Sequence, residues 1–187
     1  DPEVLARGGG GTWMNGSYDP ALNLIYWGVG NPNPDYFGDT RLGDNLYSNS
    51  LVALDADTGE LKWHYQFTPH DLNDWDSNHM PVLADIEWNG QERKVVMVGN
   101  RNGFFYVLDR VNGELLLGKP FTATTWAREI GADGRPIVLN DGSKGCLPDP
   151  WGGTNFMPPS FYPGLDLFIL TARVTCATFV PEEPRYV

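Results

Sequence analysis

The stretch Ala53-Leu54-Asp55-Ala56-Asp57-Thr58-Gly59-Glu60-Leu61-Lys62-Trp63 reads as an apolar strand, a tight turn and a second strand. The Asp can accept hydrogen bonds from turn amides, and the Gly can take the positive φ a tight hairpin needs. Val107-Leu108-Asp109-Arg110-Val111-Asn112-Gly113-Glu114-Leu115-Leu116-Leu117 repeats the pattern, with Asp109 and Gly113 both offset by 54 from Asp55 and Gly59. A second echo joins Ser17-Tyr18-Asp19-Pro20-Ala21-Leu22-Asn23-Leu24-Ile25-Tyr26 to Ser160-Phe161-Tyr162-Pro163-Gly164-Leu165-Asp166-Leu167-Phe168-Ile169. Strand-turn-strand units recurring at this spacing suit four-stranded propeller blades, slightly longer than the ~40–45 residues of the WD type. The chain is therefore expected to be all-β, part of a β-propeller, with roughly three to four blades present. A blade cannot bury both sheet faces alone, so the aromatics are expected to pack between neighbours.

Composition agrees with many short strands and rules out several classes. The 187 residues hold 22 Gly, 15 Pro and a wealth of aromatics, a turn-rich pattern rather than a helical one. With 24 acidic and 13 basic residues the formal net charge is −11, a field that repels phosphate backbones and argues against nucleic-acid binding. No segment approaches the ~20 apolar residues of a membrane span. No basic, then apolar, leader opens the chain. The ends read as cut, so the sequence is expected to be an internal piece of something longer. Cys146 and Cys176 belong to no CxxC, haem-attachment or zinc pattern, and the residues alone leave two buried thiols or one disulfide open.

Several familiar chemistries lack support. Gly8-Gly9-Gly10-Gly11 fits neither the dinucleotide nor the P-loop spacing, and reads as a flexible approach to Trp13. His64, His70 and His79 form no HExxH or i, i+4 pair, so they read as turn or surface histidines rather than metal ligands. No GxSxG elbow appears.

A sharper constellation remains. Trp13 follows the glycine run; Asn31 lies in Gly30-Asn31-Pro32 at the end of an apolar strand running from Asn23 to Val29. Asp76 closes Thr68-Pro69-His70-Asp71-Leu72-Asn73-Asp74-Trp75-Asp76, Arg101 lies in Gly99-Asn100-Arg101-Asn102-Gly103, and Asn155 in Gly153-Thr154-Asn155-Phe156. Singly each has a bland reading: a packed Trp, an Asn-Pro turn, solvated loop residues. In this order they resemble the active site of the pyrroloquinoline quinone (PQQ)-dependent alcohol dehydrogenases, an eight-bladed propeller family. Ala53-x-Asp55-x-x-Thr58-Gly59-x-x-x-Trp63 is similar to that family's tryptophan-docking motif in full, whereas the second copy departs from it at Val107, Asn112 and Leu117.

The resemblance implies a partial quinoprotein propeller domain over residues 1–187 and oxidation of an alcohol to an aldehyde by hydride transfer to PQQ. It implies a floor for the quinone at Trp13, an Asn31 amide oxygen and Asp76 on Ca²⁺, and Asp76 as general base. Arg101 would contact the quinone oxygens, with Asn155 near the reactive carbonyl. Asp74 is the rival base. Thr12 stands next to Trp13 where some family members place it one residue earlier, so the resemblance does not carry that hydroxyl contact here. Lanthanide-using relatives carry an Asp two positions after the base; here Asn78 stands there, which favours calcium, and choosing Asp74 as base would reverse that argument. The resemblance also implies a Cys146–Cys176 disulfide, a periplasmic location, a small-molecule alcohol substrate and a cytochrome c-type electron acceptor. The alternatives are a non-catalytic propeller scaffold of PQQ-like repeats and a related sugar or polyol quinoprotein.

Overall fold

The computed structural model describes residues 8–139 and 146–177, and among them the regular structure is all β. Two four-stranded antiparallel meanders form the body. The first contains β1 (Ser17–Asp19), β2 (Leu24–Gly28), β3 (Ser50–Asp55) and β4 (Leu61–Gln66). The second contains β5 (Val82–Trp88), β6 (Gln91–Gly99), β7 (Phe104–Asp109) and β8 (Leu115–Pro120). Two hairpins complete it: β9 (Ala127–Ile130) with β10 (Pro136–Val138), and β11 (Ser160–Tyr162) with β12 (Leu167–Ile169).

The repeated turn is built as its chemistry requires. Asp55 Oδ1 accepts from the Asp57 and Thr58 amides and the Thr58 hydroxyl, while Gly59 sits at φ 73°. Asp109 accepts from the Val111 amide, and Gly113 sits at φ 81°. The second echo also has a structural counterpart. Ser17 pairs with Tyr26 and Asp19 with Leu24; Ser160 pairs with Ile169 and Tyr162 with Leu167. Asn23 and Asp166 occupy the same left-handed position in the two turns. The β11–β12 hairpin therefore repeats the opening of a blade.

The described residues thus contain two whole blades and a third blade's first hairpin, a partial propeller as expected. The β9–β10 hairpin lies between β8 and β11, and a disulfide joins Cys146, before β11, to Cys176, beyond β12, with their Cα atoms 4.8 Å apart.

Alternation along a strand explains the layering, because successive side chains point to opposite faces. Val96, Val98, Tyr106 and Leu108 face the first blade and share a core with Tyr26, Leu51 and Ala53. Val95, Met97 and Val107 face the other way, against Phe161 and Phe168 of the third hairpin. Trp63 fills the seam between the first two blades. Its ring lies so close to Gly113 that a Cβ there would meet Trp63 Cε3 at 2.7 Å. Strand direction then positions the site. Even-numbered strands end, and odd-numbered ones begin, at one end of the meanders; the two glycine turns lie at the other.

Candidate active site

Trp13 precedes β1, Asn31 follows β2, Asp76 lies between β4 and β5, and Arg101 follows β6. All four segments emerge at the same end of the blades, and they converge on one carboxylate. Asp76 Oδ1 accepts from the Asn31 amide at 2.9 Å. Asp76 Oδ2 accepts from Trp13 Nε1 and from Arg101 Nη1, both at 2.9 Å. The Asp76 and Arg101 side chains are only 16% and 10% exposed, so their ion pair is held largely away from water. A carboxylate offers about four lone-pair sites, and three donors leave one for a further proton donor.

Glycines permit this approach. A Cβ on Gly30 would lie 2.3 Å from Asp76 Oδ1, and one on Gly152 would lie 2.6 Å from Arg101 Cβ. The Gly8–Gly11 run, expected to be a flexible approach, is instead a paired segment. Gly10 donates to the Asn31 carbonyl at 2.7 Å, and the Gly30 amide donates to the Gly11 carbonyl at 2.8 Å. Gly8, Gly9 and Gly10 all have positive φ, a path few other residues could follow.

Asp74 has a different setting. It has φ 59° and accepts from the Tyr36 hydroxyl at 3.4 Å. Burial pushes its carboxyl up to about 6, opposed by the Arg101 guanidinium and helped by the charges of Asp76 and Asp35. Asn155 is buried next to the wall behind Arg101, since Gly153 donates to the Arg101 carbonyl at 2.8 Å. Its own amide group caps its turn, donating to Trp151 O and accepting from the Phe156 amide, both at 2.8 Å. The structure therefore brings Trp13, Asn31, Asp76 and Arg101 together by direct bonds, while Asn155 joins them only through its neighbours.

His79 is not a surface residue. It is buried, its Nδ1 has no hydrogen-bond partner, and burial with the Arg101 charge holds it down at about 3. Asn78 is buried too, with Nδ2 donating to Gly11 O at 3.0 Å and Oδ1 left without a partner. Sequence reading missed Gly30 as a site component. Gly30 stood in view inside the Gly-Asn-Pro turn, but only the fold presses it on Asp76.

The donor chemistry fits a hard cation and a flat anionic ligand. Asp76 and the Asn31 amide offer hard oxygens; Asn31 Nδ2 is occupied by Asp35 Oδ1 and Pro32 O, which fixes which way the amide faces. Arg101 Nε and Asn78 Oδ1, both buried and unpartnered, are places where a ligand would satisfy polar atoms. Trp13 is 50% exposed and presents an indole surface beside them. Among the described residues no three His, Cys, Asp or Glu groups converge as a metal cage.

Blades docked through Trp63, with Trp13, Asn31 and Arg101 bonded to the Asp76 carboxylate, are what the resemblance to a quinoprotein propeller implied. The chain belongs to the family described as PQQ glucose/ethanol/alcohol dehydrogenase, β-propeller domain, which matches residues 1–122. It is 44% identical over 175 residues to the quinohemoprotein alcohol dehydrogenase of Comamonas testosteroni, covering 90% of this chain and 25% of that one. Its fold matches the quinohemoprotein alcohol dehydrogenase ADHIIG of Pseudomonas putida with a TM-score of 0.88 and 38% identity, over 95% of this chain and 28% of that one. A europium-containing methanol dehydrogenase matches with a TM-score of 0.82 and 38% identity, over 86% and 29%. The chain thus spans between a quarter and a third of the length of these relatives.

Proposed function

We propose that residues 1–187 are part of a quinoprotein propeller domain that oxidises an alcohol with PQQ and a bound metal ion, Asp76 serving as the base. The observation that carries this reading is the convergence of Trp13, Asn31 and Arg101 on Asp76, each at 2.9 Å. When bound, PQQ supplies a two-electron acceptor and the cation supplies Lewis acidity beside it.

This chain's residues then have separate tasks. Asp76 accepts the hydroxyl proton of the alcohol on the carboxylate that these donors hold in place. The Asn31 and Arg101 bonds orient its carboxylate, so little reorganisation accompanies proton transfer. Arg101, through its unpartnered Nε, donates to negative charge on a ligand. Trp13 offers a flat apolar surface, anchored at its Nε1 by Asp76. Asn31 and Asp76 would hold the cation. Asn155 shapes the wall behind Arg101.

Asn78, neutral where an added carboxylate would favour a trivalent ion, supports calcium, although one similar enzyme is described as containing europium. The disulfide fits an oxidising compartment, here the periplasm. No helix among the described residues is long and apolar enough to cross a membrane. A cytochrome c-type protein is the proposed electron acceptor, in keeping with the quinohemoprotein name of the Comamonas relative. The family description also includes glucose, so a sugar or polyol substrate is the second reading. A non-catalytic scaffold would need the Trp63 seam but not the Asp76 cluster.

The test replaces Asp76 by Asn in the complete natural polypeptide containing this chain, loaded with PQQ and Ca²⁺. Dye-coupled alcohol oxidation should fall at least ~10³-fold. Turnover equal to the parent's would refute the assignment.

A further inference from the structure

The two segments that carry Asn31 and Asp76 are far apart in sequence, and one buried residue touches both. Asn49 is wholly buried immediately before β3. Its amide donates to the Gly30 carbonyl at 2.9 Å, one residue from Asn31. Its side-chain Nδ2 donates to the Trp75 carbonyl at 2.9 Å, one residue from Asp76. The second Nδ2 proton goes to Asp71 Oδ2 at 3.0 Å, and the same oxygen accepts from the Trp75 amide at 2.7 Å. Asp71 is itself buried and also accepts from the Asn73 amide at 2.8 Å. Arg41 donates to its carbonyl.

Two acceptors facing one nitrogen demand a double donor of short reach. Asp, Ser, Thr and Gly cannot supply it, and turning the amide over would set oxygen against a carboxylate and a carbonyl. The backbone demand is equally particular, because Asn49 has φ 52°, a region Asn tolerates and Gly adopts freely. Asn49 thus ties the Gly30 carbonyl directly to the Trp75 peptide through one rigid side chain.

We propose that Asn49 is a positioning residue that sets the spacing between the Asn31 turn and the Asp76 loop, and thereby the affinity of the site for a divalent cation. The inference rests on the proposed assignment of Asn31 and Asp76 as cation ligands. Outer partners that orient metal ligands change affinity by ~10–100-fold when removed. Asn49→Gly keeps the left-handed backbone and deletes the clamp. Asp71→Asn keeps the packing and removes a buried acid, and whichever way its amide turns, its NH2 faces either the Asn49 and Trp75 donors or the Asn73 amide.

The complete natural polypeptide, stripped of metal and supplied with PQQ, is titrated with Ca²⁺ by calorimetry, alongside both variants and Asp76→Asn. The Ca²⁺ dissociation constant should rise ~10–100-fold in Asn49→Gly and at least about fivefold in Asp71→Asn. A merely structural role would lower the melting temperature of the metal-free protein but leave Ca²⁺ affinity alone. Affinity within twofold of the parent in the folded variants would overturn the inference, and Asp71→Asn decides it if Asn49→Gly does not fold. If the parent binds no Ca²⁺, or Asp76→Asn binds it as well as the parent, the functional reading fails and the inference falls with it.

Discussion

Gly30→Ala is the most direct probe of how closely the site is built. A Cβ at this position would lie 2.3 Å from Asp76 Oδ1, 2.9 Å from Gly11 O and 3.0 Å from Asn78 Nδ2. Gly30 has no positive φ, so the cost comes from crowding alone. The Gly11 carbonyl cannot easily retreat, because it accepts the Gly30 amide at 2.8 Å. The Asp76 carboxylate must therefore withdraw by roughly 1 Å to reach ordinary contact. That withdrawal breaks its bond from the Asn31 amide, now 2.9 Å long. Misplacing a reacting group by about 1 Å costs on the order of 100-fold in rate, or ~2.7 kcal/mol. Overpacking costs a further ~1–3 kcal/mol of stability. Dye-coupled alcohol oxidation by the complete natural polypeptide, read as kcat/KM with melting temperature recorded in parallel, should show both losses. Activity within threefold of the parent, in a folded protein, would refute the claim that Asp76 is positioned through Gly30.

Three further outcomes follow from other parts of the molecule. Gly113→Ala places a methyl 2.7 Å from the Trp63 ring at a position with φ 81°, so unfolding should show a loss of about 3 kcal/mol; an unchanged melting temperature would mean Trp63 is not packed in that seam. His79 is held at about 3 against an ordinary 6.5, so it stays neutral in the folded protein while the unfolded chain takes up a proton below pH 6.5. Above pH 6.5 it costs nothing, and as pH falls toward 3 that proton uptake destabilises the fold, on the order of 5 kcal/mol in all. The slope of unfolding free energy against pH should be shallower over that window in His79→Gln, and identical slopes would contradict the neutral buried state. Asn78→Asp exchanges the bond to Gly11 O for a carboxylate near Asp76, and competitive titration should then shift preference from Ca²⁺ toward La³⁺ by at least about tenfold; an unchanged ratio would remove Asn78 from the choice of metal.

Much of the blade chemistry was legible because it is local. The Asp55 and Asp109 turns involve residues within a few positions of one another, so spacing alone defines their bonds and their glycines. The hairpins at Ser17 and Ser160 were legible for the same reason. The glycine run before Trp13 looked flexible because its pairing partner, Gly30 to Pro32, lies some distance along the chain. His79 looked superficial because its burial comes from packing near Arg101 and Thr154, to which no short-range pattern points.

The sequence by itself determined that this protein builds four-stranded repeats, and it marked Trp13, Asn31, Asp76 and Arg101 as unusual loop residues lying in a familiar order. Hydrophobic alternation and turn chemistry depend on neighbours, and neighbours are written in the chain. Only the tertiary structure decided that Asp76, rather than Asp74, receives the Trp13, Asn31 and Arg101 donors, and that Asn49 joins the loops that hold them. The physical reason is the direction of the strands. An antiparallel meander returns every second connection to the same end, so residues dozens of positions apart become hydrogen-bonded neighbours once the blades pack around Trp63.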